Sequence, residues 1–426
     1  MRAGAVVDAI LGFDVAQYVA AARHDGRHKL DPVLRGEMAT LYEDLRDVRA
    51  RIDVPAEVRP QLRLAELLLE SEWKLAGDEE PGGTRGRRYQ AYANNRLLSH
   101  VLGTRRHSSD AAIERRSRWA LHTLVDSWLR FERSGTEWSH DMLPTDAELA
   151  ERVDRLTHMH AATAPHSPVP RIAPEPPSRW QDYLGDGQGN VLEYLINLPQ
   201  TTQHDENAFL RVIHLTETAT WGMIARVVAA VEWLKKNHWD NAAHCLDRAA
   251  ALAQVQLDAM LVLRRTMSVE RFMGFRADTG SASAVQMLSG QLLQIHLLGI
   301  HPHKIEALSR VYENAFLLLH LNPEFEPLRT ALRRLPADHD TAAKVLTAAE
   351  TLDDTLFRWR RVHLGMAHRH LPKESGSGGT AGAPYLQSFY DDRLFNDGIL
   401  APQPQPPTRP PLPNSVYARP IFSPLN

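Results

Sequence analysis

The sequence predicts an all-α protein, and three observations carry that expectation. Apolar residues recur three and four positions apart in segment after segment. Proline and glycine breaks separate those segments. At 426 residues, with 43% hydrophobic and 24% charged content, the chain is long enough for more than one domain. A formal charge of −3 gives no electrostatic pull towards nucleic acid. The single cysteine, Cys245, excludes an internal disulfide framework and suits core packing better than a metal cluster.

In chain order, residues 1–25 open with one arginine and an apolar run. Asp8 and Asp14 interrupt that run and no small-residue cleavage motif follows it, so the expectation is an amphipathic helix of a cytoplasmic protein, not a signal peptide. No other stretch approaches the ~20 uninterrupted apolar residues of a membrane span. Met38, Leu41, Leu45 and Val48 keep helical spacing, as do Leu62, Leu64, Leu67, Leu68 and Leu69. A further helix carries Trp119, Leu121, Leu124, Val125, Trp128 and Leu129, with breaks at Pro55, 80–83 and 134–135. Residues 1–161 are therefore expected to form a helical domain with no motif that assigns it a role. His100, His107, His122 and His140 are scattered through it without ligand spacing.

Residues 162–178, ATAPHSPVPRIAPEPPS, have closely spaced prolines that remove backbone donors and favour extended chain, which predicts a linker. Beyond it a second domain is expected over 179–395. Asp205 and Glu206 fall in a first helical turn, where carboxylates complement the macrodipole, and Phe209, Ile213 and Thr216 or Glu217 then share a face. A long helix is expected from Trp221 to about Leu263, and further helix over 302–355 with Val311, Ala315, Leu318 and Leu319 as core candidates. Residues 396–426 read as an extended proline-rich tail.

The most informative stretch runs from Trp359 to Leu386. Leu352, Leu356, Trp359, Val362, His363 and Met366 share one helical face, so His363 points where the apolar residues point. Gly376, Ser377, Gly378, Gly379, Thr380 and Gly382 follow, a run whose backbone can approach a ligand closely. A histidine on an apolar face followed by a polar glycine loop suggests a buried cofactor with a substrate loop over it.

That stretch resembles the C-terminal signature of the tryptophan 2,3-dioxygenase family. In that signature Trp-Arg-x-x-His supplies the proximal haem ligand and a glycine-rich loop closes over the amino acid. Trp359, Arg360 and His363 match the first part and residues 376–382 the loop, with Ser377 at a threonine position and Thr380 and Ala381 at serine positions. Trp180 and Tyr183-Leu184 look like the family's Tyr-x-x-Tyr-Leu, and His204, Asp205, Glu206 and Phe209 match its His-Asp-Glu-x-x-Phe. Phe272-x-x-Phe275-Arg276 resembles the element in which an aromatic ring packs on the indole and an arginine grips the carboxylate; a planar guanidinium offers paired donors in fixed orientation. The next residues keep only part of Ala-Ser-Gly-Phe-Gln-Ser, with Val285 and Met287 as departures.

The resemblance implies a haem b cofactor on His363, with Trp359, Gly376 and Ser283 as further cofactor contacts, and dioxygen as co-substrate. It implies Phe209, Ile213, Phe272, Arg276, Ser377, Gly378, Trp180 and Tyr183 as substrate contacts. It also implies a small aromatic amino acid or indole as partner, neither nucleic acid nor membrane, and a homo-oligomer, dimer or tetramer. The family's distal histidine falls four residues after the phenylalanine, where this chain has Ile213; His214, the candidate catalytic residue, stands one step and ~100° further round. Either the helix carries a local bulge or the pocket lacks a distal histidine. The activity implied is dioxygen insertion across the indole C2–C3 bond to an N-formylkynurenine-type product. Alternatives are a histidine-ligated haem enzyme that inserts one oxygen during natural-product assembly, and a haem sensor without turnover.

Overall fold

The computed structural model describes residues 3–49, 55–76, 91–104, 109–134, 139, 141–165, 169–277, 287–300, 322, 324–336, 340–371, 383–387 and 392–395. Every regular element among them is helical, in keeping with the all-α expectation. Among the described residues, extended backbone meets only at an isolated bridge between Asp141 and Gln203.

The frame consists of four long helices: α6 (Asp110–Ser134), α8 (His204–Lys235), α9 (Trp239–Thr266) and α13 (Asp340–His370). α9 lies between α8 and α13, and α6 covers α8. Ala242, Ala249 and Ala253 on α9 are fully or almost fully buried beside Leu246 and Leu257, and their small side chains let neighbouring backbones approach closely. The expected single helix through Trp221–Leu263 is instead two. Asn237 takes a left-handed φ of 57°, which asparagine tolerates, and the amides of Lys236, Asn237 and His238 close on Trp233 and Leu234 to end α8.

The expected N-terminal helix also divides, into α1 (Ala3–Leu11) and α2 (Val15–Asp25), because Asp14 accepts from the Gln17 amide at 3.1 Å and caps α2. α3 (Pro32–Arg49), α4 (Arg59–Ala76) and α5 (Asn95–Leu102) follow, then α6 and α7 (Asp146–Thr163). The amide of Arg27 bonds Pro199 O at 3.0 Å and that of His28 bonds Gln200 O at 3.1 Å. The buried Arg27 guanidinium donates to Glu72 at 2.7 Å and to the carbonyls of Ala91 and Tyr92. Gly26 makes this approach possible: its φ is 78°, and a Cβ there would lie 2.3 Å from Gln200 O.

The proline-rich stretch lies against the segment that follows it. Tyr183 donates to Pro177 O, Tyr194 to Ala173 O, and the Ala173 amide to Asn190 Oδ1, at 2.8, 2.6 and 2.7 Å. Helices before and after that stretch share one apolar cluster, from Val6 and Ile10 through Trp128 to Leu352 and Met366. The shorter α10 (Val269–Arg276), α11 (Leu288–Leu298), α12 (Leu328–Leu332) and α14 (Ala383–Gln387) complete the named helices, beside short helical turns at Arg27–Lys29 and through Trp180–Leu195. No single helix among the described residues is long and apolar enough to cross a membrane.

Candidate active site

α13 presents Leu352, Leu356 and Met366 to the core, and Trp359 and His363 sit half-buried on the same side of the helix. His363 lies deep in the protein yet keeps accessible surface, and it lines a partly open cavity of about 130 Å³. Thr216 and Thr220 of α8, Gln256 of α9, Gln291 of α11 and Trp359 share that wall. Burial lowers the His363 pKa to about 4, so its imidazole is neutral at physiological pH. Among the described residues its ring nitrogens have no hydrogen-bond partner, and the ring it meets is that of Trp359, with centroids 5.3 Å apart. Trp359 Nε1, Thr216 Oγ1 and Gln256 Oε1 are also buried without hydrogen-bond partners among the described residues. Arg360 lines the cavity as well; burial lowers its pKa, and it donates to Asp392 O.

The start of α8 is fixed by charge. Asp205 is 1% exposed and its two oxygens each hold a guanidinium: Arg152 of α7 at 2.5 Å and Arg271 of α10 at 2.7 Å. Arg152, itself fully buried, also reaches Glu132 of α6 at 3.3 Å, and His204 meets the other oxygen of Glu132 at 2.9 Å. Burial alone would raise the Glu132 carboxyl, but Arg152 and the His204 bond outweigh it and hold it at about 2. Thr266 O, at the end of α9, accepts from both Arg152 and Arg271, at 3.0 and 2.7 Å. Glu206 accepts from the amides of Gln200 and Thr201, both at 2.8 Å, and from the Thr201 hydroxyl. Burial dominates there and lifts its carboxyl to about 7.

α8 runs unbroken from His204 to Lys235, without the bulge that would swing His214 towards the cavity. His214 faces away. Its Nε2 donates to Ala93 O at 2.7 Å and its Nδ1 lies 2.9 Å from Asn197 Oδ1. Burial lowers its pKa to about 4. His214 does not line the His363 cavity, so the candidate catalytic assignment does not follow from its position. Ile213 lies on the side of α8 that carries Thr216 and Thr220, since residues three and seven apart share a face. It packs with Phe209, Leu210, Tyr92 and Met287.

α10 brings the aromatic candidates together. Phe209 and Phe272 meet edge to face at 5.9 Å, Phe275 lies 5.6 Å from Phe209, and His370 of α13 lies 5.3 Å from Phe272. Arg276 is the last residue of this helix and is half-buried; like Phe209, Ile213 and Phe272, it does not line the His363 cavity. Trp180 and Tyr183 lie elsewhere. Trp180 stacks on Phe13 at 6.2 Å and donates to Ile10 O at 2.8 Å, while Tyr183 bonds Pro177 O, so both are buried against the N-terminal helices instead of lining the cavity. Ser283, Gly376, Ser377 and Gly378 lie outside the described residues.

Sequence reasoning missed Glu132, Arg152, Arg271, Thr220 and Gln256. Arg271 and Thr220 could have been found from helical spacing to Phe275 and Thr216. Glu132 and Arg152 could not, because the residues they hold at the start of α8, His204 and Asp205, lie 72 and 53 residues away.

No protein-family model matches the chain. Over 236 residues it is 23% identical to a tryptophan 2,3-dioxygenase of Geobacillus thermodenitrificans, covering 46% of this chain and 82% of that protein. Over 235 residues it is 26% identical to a tryptophan 2,3-dioxygenase of Caulobacter vibrioides, covering 46% of this chain and 88% of that protein. Joined to the all-helical fold, these similarities make the chain a distant relative of the tryptophan 2,3-dioxygenases.

Proposed function

We propose that the chain is a haem-dependent oxygenase of tryptophan or a tryptophan-derived indole, adding both atoms of dioxygen across the indole C2–C3 bond to give an N-formylkynurenine-type product. The observation that carries this reading is His363: a neutral, deeply placed imidazole with no hydrogen-bond partner among the described residues, on the wall of a cavity. That is the state in which imidazole ligates a metal. The residues around the cavity therefore fit haem, which His363 would hold through its imidazole beside Trp359; by the family resemblance Ser283 and Gly376 would be further contacts. Bound haem supplies the activation of dioxygen.

The chain's own residues bind and orient. Arg276 holds the substrate carboxylate through paired guanidinium donors. Ser377, Gly378 and the glycine-loop backbone receive the ammonium or position a haem propionate. Phe209 and Phe272, in edge-to-face contact, would together offer one aromatic wall to the substrate ring, and Ile213 keeps that wall apolar. Holding the reactants in one geometry is the protein's main contribution.

A second reading, insertion of one oxygen, draws support from Ile213 standing where the family places its distal histidine while His214 is held by Ala93 and Asn197. One experiment tests both. The full chain is reconstituted anaerobically with haem and reductant, then given oxygen and tryptophan, with the visible spectrum and product mass followed together. A histidine-type haem spectrum and a gain of two oxygens support the dioxygenase, and a gain of one supports the second reading. Failure to bind haem with His363 intact rejects both.

A further inference from the structure

α10 is eight residues long, too short to hold its own helical form in water, so its orientation comes from what grips it. Two kinds of contact do so. Phe272 and Phe275 pack on Phe209 and His370, an apolar contact that sets how deep the helix sits but is weakly directional. Arg271 makes charge-assisted bonds, which are directional: Nε to Asp205 Oδ2 at 2.7 Å, Nη2 to Thr266 O at 2.7 Å and to Glu148 Oε1 at 2.9 Å. Arg276 stands five residues on along the same two turns, ~7.5 Å by helical rise. Any rotation of the rod about Arg271 is passed to it.

The grip is assembled from both sides of the proline-rich stretch. Asp205 can hold Arg271 at a fixed angle only because its second oxygen is held by Arg152, which Glu132 and Thr266 hold in turn. Glu132 lies on α6, and Arg152 and Glu148 lie on α7, within the segment to which no role was assigned. Resting on the function proposed above, we infer that Arg271 is a positioning residue for Arg276. The α6–α7 segment, through Arg152 and Glu148, is then a working part of the substrate-carboxylate site.

The test compares two ligands on the haem-loaded full chain: tryptophan, and tryptamine, which lacks the carboxylate. Dissociation constants are measured calorimetrically for wild type, Arg271→Met, Arg271→Lys, Arg276→Leu and the double variant. Arg271→Met should weaken tryptophan about tenfold or more, the scale of one lost directional charged contact, and tryptamine no more than about twofold. Arg271→Lys should recover part of the loss. The double variant should bind tryptophan no more weakly than Arg276→Leu alone, because the two residues act in series. Glu148→Gln, at the rim, repeats the test without stranding a buried charge and should give a smaller loss, again for tryptophan only. Equal weakening of both ligands, or additive losses in the double variant, overturns the inference. A wild-type chain that binds haem but neither ligand overturns the function on which it rests.

Discussion

His214 Nε2 lies 2.7 Å from the carbonyl oxygen of Ala93, 121 residues away in the chain, and this bond fixes the ring outside the His363 cavity. Replacing His214 by alanine should therefore act on stability. Loss of a buried donor and exposure of Ala93 O and Asn197 to an empty site should cost roughly 1–3 kcal/mol in denaturant unfolding. Turnover per bound haem should stay within about threefold. A fall of about a hundredfold or more, the scale of a lost general base, would instead place His214 in the chemistry.

His363→Ala should abolish the haem spectrum while leaving the apoprotein folded. The imidazole makes no hydrogen bond among the described residues, so its removal strands no buried partner. Apoprotein circular dichroism and melting temperature close to wild type, with haem lost on gel filtration, is the expected pair of results.

Glu217 gives a pH signature. It is 3% exposed and accepts from Trp221 Nε1 at 3.0 Å and Ser289 Oγ at 2.6 Å, and burial raises its carboxyl to about 7. A carboxyl raised in the folded state binds its proton more tightly there than in the unfolded chain. Its stabilising contribution is therefore full below about pH 4.5 and is lost as pH rises through about 7. Glu217→Gln removes that loss. The variant should gain on wild type from about pH 5 upwards, reaching ~2–3 kcal/mol above pH 7, with the difference vanishing below about pH 4.5. Chemical denaturation at several pH values reads this directly, and an equal offset at every pH would contradict it.

Gly26→Ala should be among the most damaging of small substitutions. The left-handed φ of 78° disfavours any side chain, and the new Cβ would fall 2.3 Å from Gln200 O, which is backbone and cannot swing aside. A loss of about 2–3 kcal/mol or more is expected, together with loosening of the Arg27 and His28 amide bonds visible by hydrogen exchange.

The helices around Trp128, Leu352 and Met366 were legible because periodicity is a local property, and so was the placing of His363 among apolar neighbours. The family motifs single out Phe209 and Phe272 one by one, and their edge-to-face contact is a finding of the fold. Other features depended on distant chain. The break at Asn237 has no proline or glycine to announce it, since asparagine merely tolerates the conformation that ends α8. Asp205 reads locally as a helix-start carboxylate, and nothing nearby reveals that Arg152 and Arg271 divide its oxygens between them. Trp180 matched a motif, yet the stacking of Phe13, far earlier in the chain, decides where its ring goes.

The split carboxylate of Asp205 bears also on how the molecule comes apart. Arg152 and Arg271 share one buried carboxylate, so releasing either breaks a charge-assisted bond worth roughly 1.5–3 kcal/mol and loosens the hold on the other. α6, α7, the start of α8 and α10 are thus bound into one cooperative unit, and heating should dismantle them in a single calorimetric transition. A chain shortened to begin after the proline-rich stretch would keep every stretch that resembles the dioxygenase signature and lose Arg152, the arginine that holds Asp205 at the start of α8.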